Sequence, residues 1–421
     1  MGFFLFWVLA GSGVYLYLRF DTSIAGAYDS IGGLEWWFGG VLRSVHRYAA
    51  DAFVIVVVAH LVRELAAGRW RGFRAFSWIS GVPLLWLMYA SGIVGYWLVW
   101  DTRAQFSALA TLEWMGMADA GAELVSDRLF SLFVFLHIGL PLALLAGMWV
   151  HVQRLNRPRT VLPRTLVLQS LVLLLGLALL LPVTSEPRWD AARLAQSVAV
   201  DWFFQFVHPL MYATSPLFLW FLVIALTLGL ATLPYIGKKP KIVAAQVDPA
   251  NCNGCGRCVA DCPYEAVTLR EDKAFVFASR CAACGICAGA CPSSTPFRSV
   301  RELVSGIDLP DFTVHDLRRR LQAFLSSSAT EVVFRCDSSK TQMKENQISL
   351  RCLAMLPPSF IEYALRNGAR SVRTIGCREG ECAWRIGMEI ADERFSGSRE
   401  PHLRRTVRAT RDDHEYRFSY R

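Results

Sequence analysis

The stretch RSVHRYAADAFVIVVVAH, from Arg43 to His60, decides how this chain is read. It is apolar enough for a membrane helix, and its two histidines, His46 and His60, stand fourteen residues apart. A second stretch, HIGLPLALLAGMWVH from His137 to His151, repeats the interval. At about 1.5 Å and about 100° per residue, fourteen steps return a side chain to nearly the same helix face, about 21 Å further along. Two such helices side by side offer two stacked bis-histidine sites, the ligand set of two haems, one near each membrane surface. One histidine in an apolar helix is most often a satisfied polar core residue. Four in matched register are costly at membrane depth and point to function.

The surroundings extend the argument. RSVHRYAA at Arg43 to Ala50, GYWLVWD at Gly95 to Asp101 and LHIGLP at Leu136 to Pro141 resemble the haem-carrying half of cytochrome b from quinol-oxidising respiratory and photosynthetic complexes, over roughly residues 30 to 160. The resemblance implies one haem b between His46 and His137 (outer) and a second between His60 and His151 (inner). Neither is expected to be covalent, because the chain has no C-x-x-C-H motif. Arg43 matches the family's arginine that pairs with a haem propionate. Gly81 and Gly95, again fourteen apart, match the glycines that let the flat macrocycles approach the backbone. Without the family, such a glycine pair would more often mean helix packing.

Of the 421 residues, 53% are hydrophobic and 19% charged, and the apolar excess lies before residue 236. Six spanning helices are expected at about 2–20, 44–63, 79–99, 130–153, 164–183 and 214–234, each close to the roughly 20 residues a bilayer requires. The expected fold is therefore an all-α transmembrane helical bundle, with residues 1–160 as the di-haem part and 161–236 as two further helices. The first helix lacks a basic start and a small-residue cleavage site before Asp21, so it does not read as a signal peptide. Arg63, Arg69, Arg71 and Arg74, then Arg154, Arg157, Arg159 and Arg164, then Lys238, Lys239 and Lys241 fall in three loops on one side, with Arg19 a small exception on the other. Loops rich in Lys and Arg stay on the cytoplasmic side. The net charge of +9 is then a topology and membrane-surface signal, and no basic groove points to nucleic acid. An integral protein of a prokaryotic cytoplasmic membrane is expected, its second half in the cytoplasm.

All twelve cysteines follow residue 250. Cys252, Cys255, Cys258 and Cys262 before Pro263 form C-x2-C-x2-C-x3-C-P, and Cys281, Cys284, Cys287 and Cys291 before Pro292 repeat it. This doubled run is the two-cluster bacterial ferredoxin pattern, in which three thiolates hold one cube and the fourth crosses to the other. Cys252, Cys255, Cys258 and Cys291 are expected on one 4Fe-4S cluster, and Cys262, Cys281, Cys284 and Cys287 on the second. An α+β ferredoxin fold is expected over 245–300. Zinc motifs do not repeat this run with its prolines, and disulfides are disfavoured in a cytoplasmic domain.

Cys336, Cys352, Cys377 and Cys382 match no common spacing, which leaves buried thiols, a zinc site or a cluster open. FRCDSS at Phe334 to Ser339, LRCLAMLP at Leu350 to Pro357 and GCREGECAWRIG at Gly376 to Gly387 resemble the delta subunit of methyl-viologen-reducing hydrogenase. In that family a 2Fe-2S cluster passes electrons between a hydrogenase or dehydrogenase and the flavin subunit of heterodisulfide reductase. The resemblance implies a 2Fe-2S site on these four cysteines, with Ser338 or Ser339 standing where the family has a further cysteine. The β-rich runs VVFRC and SVRTIGC and the amphipathic PSFIEYALRNGA predict a small α/β iron-sulfur domain and tail over 328–421.

The loop from Ser185 to Asp201 and its flanking helices resemble the quinol-site half of cytochrome b, whose Pro-Glu-Trp-Tyr motif appears here as Asp201, Trp202 and Phe203 without the proline. Asp201 is the candidate quinol-site acid. Its competing reading is a capping aspartate among anchoring aromatics. His208 reads as an interfacial polar residue, and His315, His402 and His414 carry no signal.

The leading expectation is a membrane subunit of a quinone-linked oxidoreductase, with two b haems, two 4Fe-4S clusters and one 2Fe-2S cluster. The chain has no flavin or nucleotide fingerprint, so its cytoplasmic partner is expected to be a heterodisulfide-reductase-like flavoprotein or another dehydrogenase subunit. Quinone and membrane lipid complete the set, with a homodimer through the helical core as a further expectation. The alternatives are an outer-site quinol-oxidising, energy-conserving cytochrome b with an external acceptor, and a membrane redox sensor or scaffold.

Overall fold

The computed structural model of the chain describes residues 1–117, 126–188, 190, 197–236, 243–327, 330–339, 347–378 and 381–420. The basic linker at 237–241 lies outside them. The chain forms two compact units, Met1–Gln153 with Pro158–Gly237, and Arg154–Arg157 with Lys238–Arg421.

The first unit is helical. α1 (Gly2–Arg19) is followed by a short α2 (Ile24–Gly32), capped by the Ser23 hydroxyl on the Gly26 amide. A π-helical turn, Trp36–Gly40, runs directly into α3 (Val41–Ala66). Then come α4 (Ala75–Trp97), α5 (Thr102–Trp114) and α6 (Asp127–Val152), the last two capped by Asp101 and Ser126. α7 (Arg164–Leu180), α8 (Val207–Ala213) and α9 (Pro216–Thr232) complete the unit, with Ser215 and Pro216 starting α9 in the usual cap-then-proline order.

Among the described residues, four helical stretches are long and apolar enough to cross a membrane: Gly2–Arg19, Gly72–Trp97, Asp127–Val152 and Pro216–Tyr235. The two other expected spans are present as helices, α3 with 26 residues and α7 with 17. Trp7, Leu18, Ile55, Phe135, Leu142, Trp149 and Leu180 point outward and are exposed, while Phe6, Ala49, Phe53, Met88, Leu144 and Met148 form an inner core. This inside-out distribution suits a lipid-facing surface, where backbone groups are satisfied within each helix.

α1 packs along α3, and α4 along α6, yet among the described residues α3 and α6 scarcely approach each other at the backbone. The two histidine helices are held apart, each supported by a neighbour.

The second unit is α+β. β1 (Gln246–Val247) pairs antiparallel with β4 (Ile307–Asp308), and β2 (Val267–Arg270) with β3 (Lys273–Val276). The short helices α10 (Arg257–Ala260) and α11 (Ile286–Ala290) carry the internal cysteines of the two repeats. Each starts from a left-handed glycine, Gly256 at φ 72° and Gly285 at φ 78°, a conformation that disfavours any side chain. After α12 (Val314–Ser326), which a Thr313/Asp316 capping box starts, come β5 (Glu331–Cys336), β6 (Ile348–Leu350), α13 (Pro358–Arg366), β7 (Ser371–Ile375), α14 (Gly387–Ser396), β8 (Val407–Asp412) and β9 (Glu415–Tyr420). The five strands form one sheet in the order β6-β5-β7-β9-β8, with β6, β5 and β7 parallel and the rest antiparallel.

The ferredoxin and α/β regions, expected as separate domains, share a core: Cys284, Ile286 and Ala288 pack with Leu317, Val332, Phe334, Cys352, Leu356 and Phe360.

Candidate redox sites

In the helical unit, the ring centres of His46 and His137 are 6.3 Å apart and those of His60 and His151 are 6.4 Å apart. Two imidazoles on opposite sides of one metal, each with a metal–nitrogen bond of about 2 Å and a ring centre about 1.2 Å beyond, stand about 6.4 Å apart. The spacing fits imidazole pairs that would hold a haem iron at both levels.

The hydrogen bonds orient the rings for it. His137 Nδ1 lies 3.0 Å from the Ser91 carbonyl oxygen, which only accepts, so Nδ1 carries the proton and Nε2 presents a lone pair. Ser12 Oγ donates to the Val8 carbonyl at 2.7 Å and therefore accepts from His46 Nδ1 at 2.9 Å. Ser80 Oγ, which donates to the Ser77 carbonyl, stands 3.1 Å from His151 Nδ1 in the same relation. Such partners fix tautomer and ring angle at metal sites.

Glycines make room for the same rings. A methyl group at Gly95 would lie 2.8 Å from His137 Cε1, and at Gly81 or Gly13 it would lie 3.2 Å from His151 or His46 Cε1. In this structure, Gly81 and Gly95 thus clear space for the imidazoles. Ser12, Gly13, Ser80 and Ser91 were not singled out in the sequence. The Ser-Gly pairs at 12–13 and 80–81 were the available signal.

The remaining candidates in this unit are tied into polar contacts. Arg43 Nη2 donates to Ser185 Oγ at 2.9 Å. Asp201 is buried; its carboxylate takes Arg47 Nη2 at 2.6 Å, the Tyr96 hydroxyl and the Phe203 amide at 2.6 Å, and Arg47 also pairs with Asp51. His208, read as an interfacial polar residue, is fully buried within the protein, with Nε2 3.1 Å from Thr111 Oγ1 and its ring against Phe106.

In the α+β unit, the thiols surround two cavities. One is lined by Cys262, Cys281, Cys284 and Cys287; the other by Cys252, Cys255, Cys258 and Cys291. These are the two sets expected from the motif. Among the described residues no three His, Cys, Asp or Glu side chains converge on a single ion position. Burial pushes the Cys258 and Cys284 thiols up to about 12 and Cys287 well above its ordinary value. Metal would have to supply the energy of deprotonation there. The Ala266 amide donates to Cys262 Sγ at 3.2 Å and the Ala274 amide to Cys252 Sγ at 3.5 Å, contacts of the kind that tune cluster potential.

The last four cysteines come together through sheet topology. Cys336 ends β5, Cys352 follows β6 by two residues and Cys377 follows β7 by two, so all three sit at the C-terminal edge of adjacent parallel strands. That edge is where open α/β sheets place ligands. Cys382 arrives on the loop before α14. Cys377 Sγ lies 3.7 Å from Cys336 Sγ and also bonds Cys382, whose thiol that bond pulls down to about 6. Cys352 interacts with Cys382 and Cys336, and burial holds its thiol well up.

Residues 1–158 match the cytochrome b/b6/petB family, residues 251–295 a 4Fe-4S dicluster domain, and residues 326–406 the delta subunit of methyl-viologen-reducing hydrogenase. The menaquinol:cytochrome c reductase cytochrome b subunit of Geobacillus thermodenitrificans is 28% identical over 163 residues, 35% of this chain and 71% of that protein. Its counterpart from Bacillus subtilis is 30% identical over 104 residues, 24% of this chain and 46% of that protein. A solved structure described as a hyperthermophilic respiratory Complex III aligns with a TM-score of 0.45 at 21% identity, covering 56% of this chain and 73% of that one. The chain thus carries, in order, a region that matches the cytochrome b family, one that matches a 4Fe-4S dicluster domain and one that matches the hydrogenase delta-subunit family.

Proposed function

We propose that the chain is the membrane electron-transfer subunit of a quinone-linked oxidoreductase, exchanging electrons between a cytoplasmic heterodisulfide-reductase-like flavoprotein and the quinone pool. The observation that carries the proposal is the pairing of imidazoles at haem spacing with three groups of four cysteines in one chain. Haem and iron-sulfur clusters supply one-electron transfer when bound; the protein supplies spacing, burial and electrostatics.

In this reading His46 and His137 hold one haem b, and His60 and His151 the other. Arg43 neutralises a propionate. Cys252, Cys255, Cys258 and Cys291 hold one 4Fe-4S cluster, Cys262, Cys281, Cys284 and Cys287 the second, and Cys336, Cys352, Cys377 and Cys382 a 2Fe-2S cluster. Ser12, Ser80 and the Ser91 carbonyl keep each partnered imidazole's Nε2 free. The iron-sulfur half lies in the cytoplasm in this reading, which the basic loops support.

The quinone site belongs on the His60/His151 side. Asp201, the outer candidate, has a carboxylate already taken up by Arg47, Tyr96 and a backbone amide, which makes it an electrostatic tie of α3 and α4 to the following loop. The test is turnover from a cytoplasmic donor to quinone in the purified complex with Asp201→Asn. Turnover should survive if the haem spectra are intact. Collapse of quinone reduction while the inner haem still reduces would move the site outward.

A further inference from the structure

The α+β unit contains a junction that neither region would need alone. The turn Leu353–Met355, immediately after Cys352, lies directly on α11, the helix that carries Cys287 and begins two residues after Cys284. There is no room for a methyl group between them. One at Gly289 would meet the Ala354 carbonyl at 2.2 Å, and one at Gly285 would meet Met355 Sδ at 2.6 Å. A methyl at Gly387 would touch Cys352 Sγ at 2.5 Å and, on its other side, Ile286 Cδ1 at 3.4 Å.

Two arginines hold this contact. Arg351, the neighbour of Cys352, donates from Nη1 to the carbonyl of Ala283, the neighbour of Cys284, at 3.0 Å. Arg394 is fully buried and donates to the Ala354 carbonyl at 2.6 Å, to the Ile286 carbonyl at 3.4 Å and to Asp261, which precedes Cys262. A buried guanidinium costs several kcal/mol of desolvation before pairing, so its placement across the seam calls for a role. Neither cysteine cavity is itself lined by a residue of the α/β region, but the seam touches the immediate neighbours of the Cys284-side thiols, Ala283, Gly285, Ile286 and Asp261.

We propose that the site of Cys336, Cys352, Cys377 and Cys382 exchanges electrons directly with the site of Cys262, Cys281, Cys284 and Cys287, and that Arg394 and Arg351 are the positioning residues of this junction. One electron leaves one site and reduces the other; no bond forms and no proton moves. The Cys252 site then follows its sister site in the electron path. This rests on the cluster assignments proposed above.

The test is electron paramagnetic resonance on the whole purified chain, reduced stepwise with dithionite. The 2Fe-2S signal should broaden and relax faster once the Cys284-side cube is reduced. That effect should persist in Cys255→Ala, which disturbs the other cube, and vanish in Cys281→Ala. Arg394→Met should weaken it, with Arg394→Lys restoring part of it; Arg351→Ala, at a partly exposed position, provides the same reading should the buried variant not fold. A 2Fe-2S signal indifferent to the Cys284-side cube, or coupled instead to the Cys252-side cube, would overturn the junction. Absence of any 2Fe-2S signal would overturn the cluster assignment itself and the junction with it.

Discussion

Replacing Gly95 with alanine tests the haem geometry at its tightest point. The added methyl would sit 2.8 Å from His137 Cε1, 3.3 Å from Nδ1 and 3.6 Å from Nε2. Carbon atoms rest at about 3.5–4.0 Å, so the ring must retreat by about 0.7 Å or more. It cannot swing freely, because Nδ1 is held by the Ser91 carbonyl at 3.0 Å. Overpacking a close-packed site costs about 1–3 kcal/mol, which converts to about a 5- to 150-fold loss of haem affinity at the His46/His137 level. At Gly81 and Gly13 the nearest approach is 3.2 Å, so the ring need yield only about 0.3 Å and the loss should be smaller. The assay is the haem content of each purified variant with its reduced-minus-oxidised spectrum and redox titration. Gly95→Ala should lose the outer haem selectively, and Gly81→Ala should disturb only the inner one. Full retention of both haems at unchanged potentials in Gly95→Ala would refute the reasoning.

Other perturbations address separate links. His60→Ala or His151→Ala should remove one haem and leave the other, as resolved by optical redox titration; two retained haems would break the pairing. Ser80→Ala should leave His151 Nδ1 without its partner and lower inner-haem retention by about 10- to 100-fold, measured by haem release to apomyoglobin. Cys377→Ser or Cys382→Ser should abolish a 2Fe-2S signal while the cubane signals remain. The Asp316 carboxylate is held below its ordinary value of 3.8, chiefly by the Thr313 hydroxyl, with burial opposing. A depressed folded-state value stabilises above the unfolded value and is lost as pH falls through the folded one. Asp316→Asn should therefore flatten the acid limb of the α+β unit's unfolding curve below about pH 4 and leave the neutral limb shifted by about 1 kcal/mol or less.

Local spacing made much of the molecule legible. The fourteen-residue histidine interval and the doubled cysteine run are read along one segment each, and the structure brings those residues together as pairs and quartets. The last four cysteines were legible only through family likeness, because what unites Cys336, Cys352 and Cys377 is the order of β6, β5 and β7 in the sheet, a long-range property. The short helices Ile24–Gly32, Thr102–Trp114 and Val207–Ala213 were absent from the six expected spans, since none is a long apolar run. The burial of His208 was not legible, because it depends on neighbours such as Thr111 and Phe106, supplied by another helix. The joining of the ferredoxin and α/β regions into one core was hidden for the same reason: Arg394 meets Asp261 across 133 residues of sequence.

The central claim is that this one chain carries five redox centres. Quantitative haem and iron analysis of the anaerobically purified full-length protein, with zinc measured on the same sample, tests it most directly. The account predicts two non-covalent b haems and about ten further iron atoms per chain, with no stoichiometric zinc. A single haem, or about eight further iron atoms with one zinc, would contradict it.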